Sequence, residues 1–137
     1  MSAHERRPAD VATSLAPMLS VREGARAVVF YQSALGTTEV FRMESPDGAV
    51  VSRLAIDGAE FWVADESPEY QNFSPASVNG STTRMILTVA DPDALFARAI
   101  VAGGREVNAV HEDHGWRLGR IVDPFGHHWE IGHPLPS

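Results

Sequence analysis

Neither cysteine nor lysine occurs in this sequence. Without cysteine there is no disulfide, no thiolate nucleophile and no thiolate metal site. Without lysine there is no amine for a Schiff base, so pyridoxal-type chemistry has no anchor; the 11 basic residues are all arginines. Also missing are a Gly-x-Ser-x-Gly elbow, a phosphate-binding loop and a dinucleotide fingerprint, which leaves serine-hydrolase, nucleotide-binding and Rossmann readings without support. The opening residues, MSAHERRPADVATSL, lack the apolar run of a signal peptide, which predicts a cytoplasmic protein.

What is present bounds the answer further. With 137 residues and 44% hydrophobic content, the chain is long enough for one well-buried core and short for two. A net charge of -7, spread along the chain, argues against nucleic-acid or anionic-membrane partners and leaves small molecules as the expected partner class.

Two segments carry helix signals. Asp91-Pro92 supplies an N-cap and a proline at the first helical position, and Gly103-Gly104 ends the helix that follows. The segment from Glu23-Gly24 to Gly36 has the same build, with Val28, Tyr31 and Leu35 at helical spacing. Sliding the sequence by 68 positions aligns Val21 with Val89, Gly36 with Gly104, Gly58 with Gly126, Phe61 with Trp129 and Val63 with Ile131. One strand-helix-three-strand unit is therefore written twice. Turn signals at Pro46-Asp47-Gly48, Asp57-Gly58, His114-Gly115 and Asp123-Pro124-Phe125-Gly126 fit that unit. The expected architecture is α+β, with eight strands and two helices. A flexible tail covers residues 1–15 and one domain covers 16–137, with modules at about 16–64 and 84–133 and a connecting loop at 65–83.

Strand alternation separates two faces. Leu19, Val21, Met85, Leu87, Phe61, Val63, Trp129 and Ile131 form an apolar face that should pack on the helices. Opposite them lie Ala16, Met18, Glu60, Trp62, Arg84, Ile86, His128 and Glu130, the candidate cleft face. His111-Glu112-Asp113-His114 lacks the helical spacing of a metal motif and reads as a solvated hairpin turn.

The duplicated βαβββ pattern, with FYQSALG after the first strand and GRIVDPFGHHWEIG closing the second unit, resembles the vicinal-oxygen-chelate superfamily of glyoxalase, bleomycin-resistance and dioxygenase proteins, and within it the PhnB-like branch. The resemblance runs from about Pro17 to His133. It implies two modules whose curved mixed sheets enclose a cleft, a homodimer, and activities from isomerisation and ring cleavage to drug sequestration; the fold does not settle which. Metal-using relatives draw ligands from four positions that correspond here to Ala16, Trp62, Arg84 and Glu130, of which only Glu130 can bind a cation. The resemblance therefore leads to a small-molecule-binding protein without a metal cofactor. Its ligand would be partly aromatic and partly polar, bound by Trp62, Arg84, Glu130 and His128 with Tyr70 and Phe73 from the loop. Two alternatives stay open. One is a lyase, isomerase or dioxygenase using a divalent metal on His128 and Glu130; the other is a resistance protein sequestering a cationic antibiotic drawn by Asp65, Glu66 and Glu69.

Overall fold

The computed structural model describes residues 8–137; the first seven residues of the expected tail lie outside the described residues. Pro8–Asp10 forms one 3-10 turn, and the chain from there to Met18 is exposed.

Eight strands follow, as expected: β1 (Met18–Val21), β2 (Thr38–Glu44), β3 (Val50–Ile56), β4 (Ala59–Asp65), β5 (Arg84–Thr88), β6 (Arg105–Asp113), β7 (Trp116–Val122) and β8 (His128–Pro134). The two expected helices are α1 (Gly24–Leu35) and α3 (Pro92–Ala102). A third, α2 (Pro75–Val78), occupies a single turn of the connector that was expected to be loop throughout. Its cause is local: Ser74 accepts a hydrogen bond from the Ser77 amide at 3.3 Å, and Pro75 takes the first helical position.

The strands make two four-stranded mixed sheets, ordered β1-β4-β3-β2 and β5-β8-β7-β6. In each, a parallel pair closes the module and antiparallel hairpins complete it. The Asp57-Gly58 and His114-Gly115 pairs turn their hairpins with positive φ at both residues, as two-residue connections require. α1 stops at Gly36, φ 72°, and Arg98 of α3 donates to the free carbonyl of Ser33 at 2.8 Å, so one helix caps the other.

The helix-facing side chains follow the alternation. Leu19, Val21, Phe61, Val63, Trp129 and Ile131 are buried, and Met85 and Leu87 pack against them half-buried. Tyr31 of α1 stands between repeat-equivalent residues of the two sheets, 5.4 Å from Phe61 and 5.5 Å from Trp129 between ring centroids. Phe61 and Trp129 themselves meet edge-on at 5.2 Å. The core is thus continuous across both modules.

Asp123 is 4% exposed and holds the turn that opens β8. Its Oδ1 accepts from the amides of Phe125 and His127, and its Oδ2 from the Trp129 indole and the Tyr31 hydroxyl. Burial first, then the Asp123 charge, raises the Tyr31 hydroxyl well above its usual range. No helix among the described residues is long and apolar enough to cross a membrane.

Candidate functional site

The sheet faces turned away from the helices are where side chains remain available. Cross-strand register arranges each as a row of four: Met18, Trp62, Arg53 and Phe41 on the first sheet, and Ile86, Glu130, Arg120 and Asn108 on the second. The rows are repeat-equivalent, and their chemistry differs. On the first, the Arg53 guanidinium lies 5.5 Å from the Trp62 ring centroid, Phe41 stands edge-on to Trp62 at 5.8 Å, and Arg53 reaches Glu60 at 2.9 Å. On the second, the row floors a cavity of about 440 Å³, whose walls are His111, Trp116 and Leu118.

Arg84 and Glu130, singled out in the sequence, meet on the second sheet: Nη1 lies 3.1 Å from Oε1. The pair is lopsided, with the arginine side chain 55% exposed and the glutamate 16%. Glu130 lines the cavity and Arg84 approaches it from the side of β5.

His128 shares the face, and its Nδ1 lies 3.1 Å from Arg120 Nε. A nitrogen that accepts from a guanidinium carries no proton, so this imidazole is neutral with its hydrogen on Nε2. Burial first, then the Arg120 charge, lowers its proton affinity below the ordinary imidazole range. His128 opens onto a different hollow, beside Arg105 and Asn79.

The remaining candidates are not gathered at this cavity. Trp62 sits on the first sheet with Phe41 and Arg53 for neighbours. Phe73, 48% exposed, lines a groove along β1 with Met18 and Ser20, and Tyr70 is 76% exposed. Of the connector's three acids, Glu69 is exposed and the other two are engaged. Asp65 accepts from the amides of Gly24 and Val50, at 3.0 and 2.7 Å. Glu66 accepts from the Ser74 amide and the Ser77 hydroxyl, and those bonds, the amide's first, lower its proton affinity.

His111, Asp113 and His114, read from the sequence as a solvated turn, do form a hairpin end, and they also rim the cavity. Asn108, Trp116, Leu118 and Arg120 were not anticipated. The available signal was the alternation of Trp116, Leu118 and Arg120 on the strand paired with Glu130.

The family's metal does not fit these residues. Of the four corresponding positions, Ala16 and Trp62 offer no ligand atom, Arg84 brings a fixed positive charge and Glu130 is paired with it. The other expected ligand, His128, has its Nδ1 committed to Arg120. No group of three or more His, Cys, Asp or Glu side chains able to hold a metal comes together among the described residues.

A glyoxalase-like domain profile matches residues 17–132. The uncharacterized protein Rv0887c of Mycobacterium tuberculosis is 38% identical over 132 residues, covering 92% of this chain and 77% of its own length. The X-ray structure of the Arabidopsis thaliana gene product At5g48480 superposes with a TM-score of 0.66 at 31% identity, over 88% of this chain and 97% of its own. TioX from Micromonospora sp. ML1 superposes with a TM-score of 0.69 at 26% identity, over 90% of this chain and 100% of its own.

Proposed function

This chain belongs to the glyoxalase-like domain family, and on that footing we propose that it binds a small, partly aromatic and partly polar molecule without a metal ion. The observation that carries the reading is the Arg84–Glu130 pair at 3.1 Å. A guanidinium stays protonated, and a divalent ion about 5 Å away would meet a repulsion on the order of several kcal/mol even at an effective dielectric near 20. The cavity beside the pair gives the ligand an apolar wall in Ile86, Trp116 and Leu118 and polar groups in Glu130, Arg120 and Asn108. Trp62 on the first sheet and Phe73 in the groove along β1 offer further aromatic surface, Tyr70 is exposed on the connector, and His128 stands at the start of β8.

Two further points belong to the same proposal. Met18, Phe41, Met43 and Ile86 leave apolar side chains exposed on the open sheet faces, which favours a homodimer that covers them; light scattering on the purified protein reads the mass directly. A chain without cysteine needs no oxidising compartment, which fits a cytoplasmic protein, and the FYQSALG and DPFGHHWEIG motifs support a place in the PhnB-like branch.

A cationic antibiotic finds less support than an uncharged or anionic ligand, because Asp65 and Glu66 are occupied by main-chain and hydroxyl donors, which leaves Glu69 alone of the three acids to attract it. Elemental analysis of purified protein tests the metal-free reading, with no stoichiometric zinc, nickel or manganese expected. Stoichiometric metal that disappears in Glu130→Ala would replace it with the metal-dependent lyase, isomerase or dioxygenase.

A further inference from the structure

Among the described residues three arginines, Arg98, Arg105 and Arg120, have no carboxylate within 4.0 Å; Arg98 is exposed and caps α1, Arg105 is exposed, and Arg120 is the half-buried one of the three. Six arginines lie within 4.0 Å of a carboxylate oxygen, namely Arg22, Arg26, Arg42, Arg53, Arg84 and Arg117. Arg120 is half-buried on the cavity floor, and the acceptor it meets among the described residues is a neutral imidazole. The carboxylate directly across the strand pair, Glu130, is turned to Arg84 instead. Nε is spent on His128, while no acceptor among the described residues takes up Nη1 or Nη2. A partly desolvated guanidinium with its fork unfilled is stabilised by an oxyanion, and the two parallel N–H groups match a carboxylate in particular.

The rest of the cavity is compatible with that charge. Two acids line it: Glu130, whose carboxylate is paired with Arg84, and Asp113, whose carboxylate lies 3.0 Å from His114 Nδ1. Ile86, Trp116 and Leu118 supply an apolar wall, and about 440 Å³ accommodates one bicyclic aromatic.

We propose that Arg120 is a ligand-binding residue that grips the carboxylate of an aromatic acid, with His128 as the positioning residue that fixes its guanidinium. This rests on the small-molecule-binding reading above, and it names the class of molecule. The neutral ring matters because it orients the fork without cancelling its charge; a carboxylate at position 128 would do both.

The test compares two molecules of one shape, 2-naphthoate and 2-naphthamide, by isothermal titration calorimetry on the full chain at low salt. A charge-assisted bidentate contact in a partly desolvated site gives the naphthoate an advantage of about tenfold or more. That advantage falls below about threefold in Arg120→Gln and survives in part in Arg120→Lys, which keeps the charge and loses the fork. Equal affinity of the wild type for both molecules would overturn the proposal while leaving the binding reading intact, and this comparison needs no variant to fold. A preference for naphthoate that persists undiminished in Arg120→Gln would also overturn it. Binding of neither molecule would overturn the aromatic-acid proposal, while the small-molecule reading stands or falls on its own metal test.

Discussion

The Tyr31 hydroxyl donates to Asp123 Oδ2 at 2.5 Å, joining two side chains 92 residues apart and with them the two motifs that carried the family resemblance. The bond ties α1 of the first module to the turn that starts the last strand of the second. Asp123 holds three further donors in the same buried place.

Removing either partner should therefore cost unequal amounts. Tyr31→Phe deletes one hydrogen bond to a charged acceptor and keeps the ring between Phe61 and Trp129, a loss of about 1.5–3 kcal/mol. Asp123→Ala strands the Trp129 indole, the Tyr31 hydroxyl and two amides, and should cost more than about 3 kcal/mol. Urea unfolding of the two variants gives the order, and a smaller loss for Asp123→Ala than for Tyr31→Phe would refute it.

The Arg84–Glu130 pair should matter little for stability in the monomeric chain. With the arginine side chain 55% exposed, solvent screens the pair, and a double-mutant cycle of Arg84→Ala and Glu130→Ala should give a coupling below about 1 kcal/mol. A coupling near 3 kcal/mol would mean that the pair is shielded, as a second subunit lying on this face would shield it.

His128 sets a pH dependence whose sign follows from its lowered proton affinity. The unfolded chain takes up the proton near the ordinary imidazole value of about 6.5, before the native state does. Its contribution is therefore level above that value, and stability falls as pH drops below it. The charges that act on the ring are those of Arg120, Arg105 and His127, which disfavour protonation, and of Asp123, which favours it. Melting temperatures measured from pH 7.5 to 5.5 should fall less steeply in His128→Asn than in the wild type. Parallel slopes would assign the acid sensitivity elsewhere.

Gly126 closes the Asp123 turn at φ 94°, and a Cβ there would lie 2.6 Å from Pro75 Cβ. Gly126→Ala therefore combines an unfavourable backbone with a collision against α2, at about 2–4 kcal/mol. Circular dichroism melting should show the loss. A variant as stable as the wild type would show that α2 yields freely.

The fold was legible because its signals are local and repeated. Asp91 does accept from the Ala94 amide, and the alternation from Phe61 to Val63 and from Trp129 to Ile131 buries the side predicted. The Arg84–Glu130 contact was legible from the 68-residue register on the strands that carry it. Arg120 was not, because Arg53 and Arg120 stand 67 apart: the second module holds one more residue in the turn before Gly126. A shift of 68 aligns Arg53 with Ile121, which is buried against the helices, and a one-residue slip exchanges the faces of a strand. The Tyr31–Asp123 bond escaped notice for another reason: contacts across 92 residues leave no trace in local periodicity.

The two rows of side chains, Met18-Trp62-Arg53-Phe41 and Ile86-Glu130-Arg120-Asn108, rest on separate sheets, each backed by its own helix. The side chains of either row point away from the interior that Tyr31, Phe61 and Trp129 share, so a substitution there leaves that interior in place. One floor can therefore be rebuilt for a different ligand while the other keeps its chemistry.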